Sequence, residues 1–347
     1  MLEDKDAIQE LSFSHDGKKV VFDRCRSVGC QIQVYNLETG ELAAYQSPQN
    51  ERWTMGKYSD DGKQIAFSVI PVKPNGGLDL GNMQIAVMDA DGKNYKKVTT
   101  GPGAKTSPTF SHNGKKILYA KAAYIREKGR TPAAQYDAWE INLETGAETQ
   151  LTFCKYFYMG YLSYFPDDEH FIYWGDMPDE YEGVRMMDQS NFKNKMIELG
   201  KKGMNIIGVV VMKGKEIIPN PYRNFPKDAF PQRPLISRDG SKMIYEKSQS
   251  GKFYLYSDDG KHKLAVHAGP SVSVAISPDG NLIAVIPASS TTLHTYTVSD
   301  GKGKHNLYLA YALKIMKNYE ESIKKYECLH GEKFIMIPEK LSIILNH

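Results

Sequence analysis

The chain has 347 residues, 41% of them hydrophobic, 24% charged and 11% aromatic, the composition of an ordinary globular protein rather than a disordered, collagen-like or disulfide-dense one. Forty-four Lys and Arg against 41 Asp and Glu leave a net charge of +3, so no strong basic field calls for nucleic acid. The longest apolar run, Ile206–Met212, is far shorter than the roughly 20 residues of a membrane-spanning helix.

The first six residues are polar and acidic, without the basic-then-apolar order of a signal peptide. The first element is a repeated phrase, in chain order Ser14-His-Asp-Gly17, Ser59-Asp-Asp-Gly62, Ser111-His-Asn-Gly114, Phe165-Pro-Asp-Asp168, Ser237-Arg-Asp-Gly240 and Ser277-Pro-Asp-Gly280. A large apolar residue precedes each copy. Two mostly polar residues and an apolar triplet follow, such as Val20-Val-Phe22, Ile65-Ala-Phe67 and Ile117-Leu-Tyr119. Ser and Asp side chains cap the backbone of a tight turn and Gly supplies positive φ, so each phrase predicts a hairpin.

A third strand follows in each unit: Ile32–Asn36, Ile85–Asp89, Ala138–Asn142, Val184–Asp188, Phe253–Ser257 and Leu293–Thr297. A second turn and a short fourth strand complete the unit, as in Gln150-Leu-Thr152. Four antiparallel strands repeated six times predict an all-β, six-bladed β-propeller, because a lone four-stranded sheet cannot bury both faces. The turn positions are spaced by 45, 52, 54, 72 and 40 residues. The bare blade accounts for 40 to 45, and longer intervals carry insertions. The 72-residue interval holds an extra hairpin within Gly200–Phe230, read as an insertion, with a degenerate seventh blade as the alternative.

Ser277-Pro-Asp-Gly-Asn-Leu-Ile-Ala-Val285 and Ala138–Thr152, with its strand ending in Asn and its closing Gln-Leu-Thr, resemble the TolB-type propeller repeat. The resemblance covers about residues 8 to 305 and implies a propeller domain over 1–305. It leaves function open, since such repeats serve binding scaffolds, exported proteins and propeller domains of enzymes alike. From Asn306 the turn phrases stop, and apolar residues at three- and four-residue steps predict a largely helical appendage over 306–347, with its helix at Asn306–Leu329.

No Gly-x-Ser-x-Gly elbow, phosphate loop or His-Glu-x-x-His motif is present. His15 and His112 occupy the turn slot that holds Pro in other units, and only His267 falls at a junction between blades, so neither a metal nor a cofactor is expected. The acidic turns lack the alternating ligands of a calcium loop. Cys25 and Cys30 face each other across a four-residue loop at disulfide range. An oxidised pair would suit an exported, periplasmic protein, with the cytoplasm as the alternative.

The long connections all fall on one face of the ring, between second and third strands or between units. They carry Arg52, Trp53, Tyr124, Arg126, Tyr158, Tyr181 and Arg223, residue types enriched at binding hot spots. The expected function is a non-enzymatic scaffold holding a protein, a peptide or a glycan on that face. The alternative is a lyase or hydrolase acting on a carbohydrate or other small substrate in the central pocket.

Overall fold

The structure is a computed structural model. It describes residues 7–26, 29–125, 133–153, 155–178, 208–218, 231–247, 252–257, 262–267, 271–287, 292–298 and 303–308. Among them every regular element is a strand, and no helix is long and apolar enough to cross a membrane. Consecutive strands pair in antiparallel quartets. The first is β1 (Ala7–Phe13), β2 (Lys19–Arg26), β3 (Gly29–Asn36) and β4 (Leu42–Tyr45); the second is β5 (Glu51–Tyr58), β6 (Gln64–Pro71), β7 (Gln84–Asp89) and β8 (Lys96–Lys97). Then come β9 (Ala104–Phe110), β10 (Lys116–Ile125), β11 (Ala133–Asn142) and β12 (Glu148–Gln150). These join β13 (Tyr156–Tyr164), β14 (His170–Pro178), β15 (Gly208–Lys213) and β16 (Glu216–Ile218) through the single pair Tyr136–Tyr156, giving an eight-stranded sheet. The last two quartets are β17 (Pro231–Ile236) to β20 (His262–His267), through β18 (Lys242–Lys247) and β19 (Lys252–Ser257), and β21 (Ser271–Ile276) to β24 (Gly303–Tyr308), through β22 (Leu282–Pro287) and β23 (Thr292–Thr297).

The repeated phrase folds as the residues dictate. In the first unit Gly17 N–H donates to Ser14 O at 2.9 Å, Lys19 N–H donates to Ser14 Oγ at 2.9 Å, and Ser14 Oγ–H donates to Asp16 Oδ1. The same three bonds recur around Ser59, Ser111, Ser237 and Ser277. The closing glycines all take positive φ, 70° at Gly62 and 71° at Gly114. A Cβ at Gly114 would meet nothing, whereas one at Gly62 would run into the His15 ring. Gly114→Ala should therefore cost only the backbone strain of about 1 kcal/mol. Gly62→Ala should cost distinctly more, and parallel denaturant melts of the two variants read the difference.

In the fourth unit Asp168 takes the glycine position at φ 56°. Its carboxylate accepts the N–H groups of His112 and Asn113, at 2.5 and 3.0 Å. An Asp tolerates this conformation, and here its side chain ties two neighbouring turns together.

Apolar clusters fill the space between successive quartets: Val21, Ile32, Trp53 and Phe67 between the first and second, Ile85, Tyr119 and Ile141 between the second and third. Leu118, Tyr156 and Tyr173 follow, then Ile172, Ile236 and Tyr245, then Phe253, Val274 and Val285. β1 lies beside β21, with Leu11 N–H donating to Ser273 Oγ at 2.7 Å, so the last quartet meets the first.

One sequence expectation is corrected. The hairpin within Gly200–Phe230 is neither an insertion after a finished unit nor a seventh one. β15 pairs directly with β14, from His170–Lys213 to Gly175–Gly208, and β16 pairs with β15. It supplies the third and fourth strands of the quartet headed by β13, a place the sequence reading gave to Val184–Asp188, which lies outside the described residues. The β-branched run Val209–Val211 fits a paired strand better than Val184-Arg-Met-Met. Each first strand of a quartet is bulged, with register shifts at Gln9/Ser12, Thr54/Lys57, Leu118/Ala120 opposite β9, Gly160/Ser163, Gln232/Leu235 and Ser271/Ser273.

The chain divides into two units, Met1–Asn306 and Leu307–His347. β24 continues as strand to Tyr308, and the rest of the helix expected over Asn306–Leu329 lies outside the described residues.

Candidate functional site

Bulges re-aim side chains, and here they do so at the same level in successive first strands. Glu10, Met55, Ser107, Tyr161 and Arg233, none of them glycine, sit at φ 46°, 62°, 52°, 55° and 52°. Left-handed backbone of this kind costs about 1 kcal/mol or more per residue, and it recurs because the flanking ladders and neighbouring quartets hold it. Met55 N–H, released by its bulge, donates to Asp23 Oδ1 at 3.3 Å, and Ser107 N–H reaches Met55 Sδ at 3.3 Å. Asp23 is fully buried, also accepts Thr54 Oγ–H at 2.5 Å, and has its carboxyl pushed far up by burial.

Glu10, Met55, Ser107 and Tyr161 line a narrow cavity of about 20 Å³ together with Lys57 and Tyr158. It shares Leu11, Lys57, Tyr161 and Leu235 with a wider opening of about 150 Å³ at the tight-turn end, to which all six first strands contribute. The two form one axial passage. Burial raises the Glu10 carboxyl despite the opposing charges of Lys57 and Arg233. Burial likewise lowers the Lys57 ammonium, against the pull of Glu10, and Lys57 Nζ donates to Leu162 O at 3.2 Å. The Tyr158 and Tyr161 hydroxyls are pushed up by burial, with Glu10 adding to both. Arg233 pairs with the buried Glu246 at 3.3 Å.

The second residue of the repeated phrase lines the mouth in five of the six copies, as His15, Asp60, His112, Arg238 and Pro278. Asp60 Oδ2 accepts His112 Nδ1 at 2.7 Å and Arg238 Nε at 2.9 Å, binding three quartets in one contact. His112 Nε2 faces Tyr164 O at 3.3 Å. Burial disfavours a charged imidazole, but the hydrogen bond and charge of Asp60 and the Tyr164 carbonyl outweigh it and raise the His112 pKa. The Asp60 carboxyl is lowered, because His112 and Arg238 outweigh its own burial.

The sequence-predicted residues divide around this passage. Tyr158 lines it, its ring against Trp174 at 5.1 Å between centroids, and the missing side chain of Gly160 makes room for its hydroxyl. Trp53 does not lie at a channel mouth. It is 4% exposed, packs on Phe67 and Tyr95 at 4.8 Å each, and donates Nε1–H to Glu51 Oε2 at 3.0 Å. Arg52 folds back on its own loop, donating to Gln49 O and Glu51 O. Tyr124 belongs to β10, with its side chain outside the description, and Arg126, Tyr181 and Arg223 lie outside the described residues. Sequence reasoning missed Glu10, Lys57, Tyr161 and Arg233, since residues in ordinary-looking strands give no sign of a bulge. It set His112 aside as turn punctuation, although the slot it shares with Asp60 and Arg238 in the repeat was a usable signal. Among the described residues no three His, Cys, Asp or Glu side chains are grouped to hold a metal ion.

Cys30 is held in a disulfide, and the residue opposite it in the β2–β3 ladder is Cys25. With four cysteines in the chain, unreduced protein should titrate with two fewer thiols than reduced protein when both are unfolded and assayed by thiol colorimetry.

No family model matches the chain. Dipeptidyl-peptidase 5 of Porphyromonas gingivalis is 27% identical over 157 residues, which span 42% of this chain and 21% of that protein. Among solved structures, TolB from Acinetobacter baumannii superposes with a TM-score of 0.56 at 16% identity, over 86% of this chain and 63% of that one. Oligogalacturonate lyase in complex with manganese gives 0.53 at 13% identity, over 86% and 77%, and a putative TolB from Agrobacterium tumefaciens gives 0.51 at 15%, over 82% and 91%. These identities carry the fold alone. With its antiparallel quartets packed in succession and the last against the first, the chain has the fold of a TolB-like β-propeller.

Proposed function

We propose that the chain is a non-enzymatic binding propeller of six four-stranded blades that engages a protein or peptide segment at its axis. In this reading β9–β12 and β13–β16 are two blades stitched at Tyr136–Tyr156. The observation that carries it is the placement of His112. Its two ring nitrogens face Asp60 and a backbone carbonyl, so both are engaged in contacts that hold the turns together rather than left open to a substrate. The lyase and peptidase among the similar proteins favour the enzymatic alternative, but the titratable pair at this mouth is spent on structure. What the wider opening offers instead is a polar lining of Lys57, Tyr161, Ser237 and Arg238 for carbonyls, hydroxyls and a terminal charge. Export suits the disulfide at Cys30.

The test is cross-linking of the purified full chain in an extract of its source cells, with Lys57→Met and Tyr161→Phe as variants. Both should weaken capture of the same partner about tenfold with the ring still folded by circular dichroism. Cross-links confined to the outermost strands, unaffected by either change, would defeat the reading.

A further inference from the structure

Arg238 stands at the wider axial opening with most of its hydrogen-bonding capacity unspent. Asp60 holds it by Nε alone, at 2.9 Å, and the side chain is 46% exposed. Neither Nη group has a hydrogen-bond partner among the described residues. A guanidinium pinned at Nε keeps a fixed plane, and its two Nη groups then form a fork that fits a carboxylate through parallel bonds.

Lys57 reaches the same opening from the bulged β5. Its ammonium donates once, to Leu162 O at 3.2 Å, which leaves two N–H groups free to donate. The Tyr161 hydroxyl, on the same wall, has no hydrogen-bond partner among the described residues. Asp60 is the one carboxylate among the described residues lining the opening, and His112 and Arg238 already occupy it. Glu10, whose charge acts on Lys57, lines the narrow cavity and not the opening. An entering anion therefore meets two cations with donors to spare.

Size decides what can bring that anion. The opening measures about 150 Å³, below the range of about 300–1,000 Å³ for pockets that enclose whole small ligands. It leads into a cavity of about 20 Å³, the room of about one water. A chain cannot run through such a passage, and a loop would need the width of two backbones to enter and leave. A chain end needs only one. Phe13, Phe110, Ile236 and Ile276 give its last side chain an apolar wall.

Building on the axial reading above, we propose that this opening receives the C-terminus of a protein partner, its α-carboxylate held between Arg238 and Lys57. An internal Asp or Glu carries the same charge but has to bring a loop with it.

The immobilised full chain is offered equal amounts of random hexapeptide pools with free carboxyl ends, with amidated ends, and with amidated ends after a final Glu. Mass spectrometry counts the peptides retained. The free-acid pool should be retained at least tenfold over either amide pool. Arg238→Gln and Lys57→Met should each cut that excess at least fivefold, in chains still folded by circular dichroism. Equal retention of all pools would overturn the carboxylate assignment; the axial reading survives it if Lys57→Met still lowers retention, and falls with it if not. Glu-ending amides retained as well as free acids would move the anion to a side chain and overturn the terminus. A free-acid excess untouched by Arg238→Gln would overturn the assignment too, and retention of no pool would overturn both readings.

Discussion

Trp53→Ala should lower the stability of the ring by about 3–5 kcal/mol, the range for truncating a large buried aromatic. The side chain fills the joint between the first two quartets, against Val21, Ile32, Phe67 and Val69. Its loss also releases Glu51, which is 6% exposed and accepts from Trp53 Nε1, from Tyr95 Oη at 2.7 Å and from Lys97 at 2.7 Å. Burial alone would raise the Glu51 carboxyl, but these donors, Lys97 first, outweigh it and lower it. Trp53→Phe keeps most of the volume and loses one donor, so it should fall well short of the alanine effect. Guanidinium melts followed by circular dichroism measure both. An alanine variant as stable as the parent would move Trp53 back to the surface role that its residue type first suggested.

That reversal marks where the sequence was legible. The hairpin phrase could be read because its bonds are local: Ser14, Asp16 and Gly17 satisfy one another within five residues, and the same bonds recur in five of the six copies. The strand run from β15 to β16 was visible as a hairpin but lost its place. The residues separating β14 from β15 are numerous, and Val184–Asp188 imitates a third strand. The axial site was illegible for a different reason. Glu10, Lys57, Tyr161 and Arg233 belong to four different first strands, and only the bulges bring them together. Nothing in Gln9-Glu10-Leu11 or Thr54-Met55-Gly56 distinguishes a bulge from a plain strand, because the neighbouring quartets impose it through contacts such as Asp23 with Met55 N–H. Aromatic residues in a loop-to-strand position have two destinations, interface or core. Trp53 took the core and Tyr158 the axis, and composition alone does not separate them.

The Asp60 junction gives the second large effect, and it carries a pH signature. Asp60→Ala should cost about 1–3 kcal/mol, the penalty for stripping a part-buried charged donor of its acceptor. Most of this falls on His112, 20% exposed in its side chain, and little on Arg238, at 46%. The His112 pKa is raised in the folded state, so its contribution is complete below the ordinary imidazole value of about 6.5 and is lost as pH rises through the raised one. The Asp60 pKa is lowered, so its share is complete above the ordinary carboxylate value of about 3.9 and is lost as pH falls through the lowered one. The contact is thus strongest in the mildly acidic range between those two values, and stability should decline from about pH 6.5 upward. Asp60→Asn keeps the shape while removing the charge, and it should flatten that decline. His112→Gln should flatten it too, since both carry one end of the same linkage. Urea melts at half-unit intervals from pH 5 to 9 supply the measurement. A decline that persists unchanged in both variants would place the titrating group elsewhere and leave the mouth of the axis held by geometry alone.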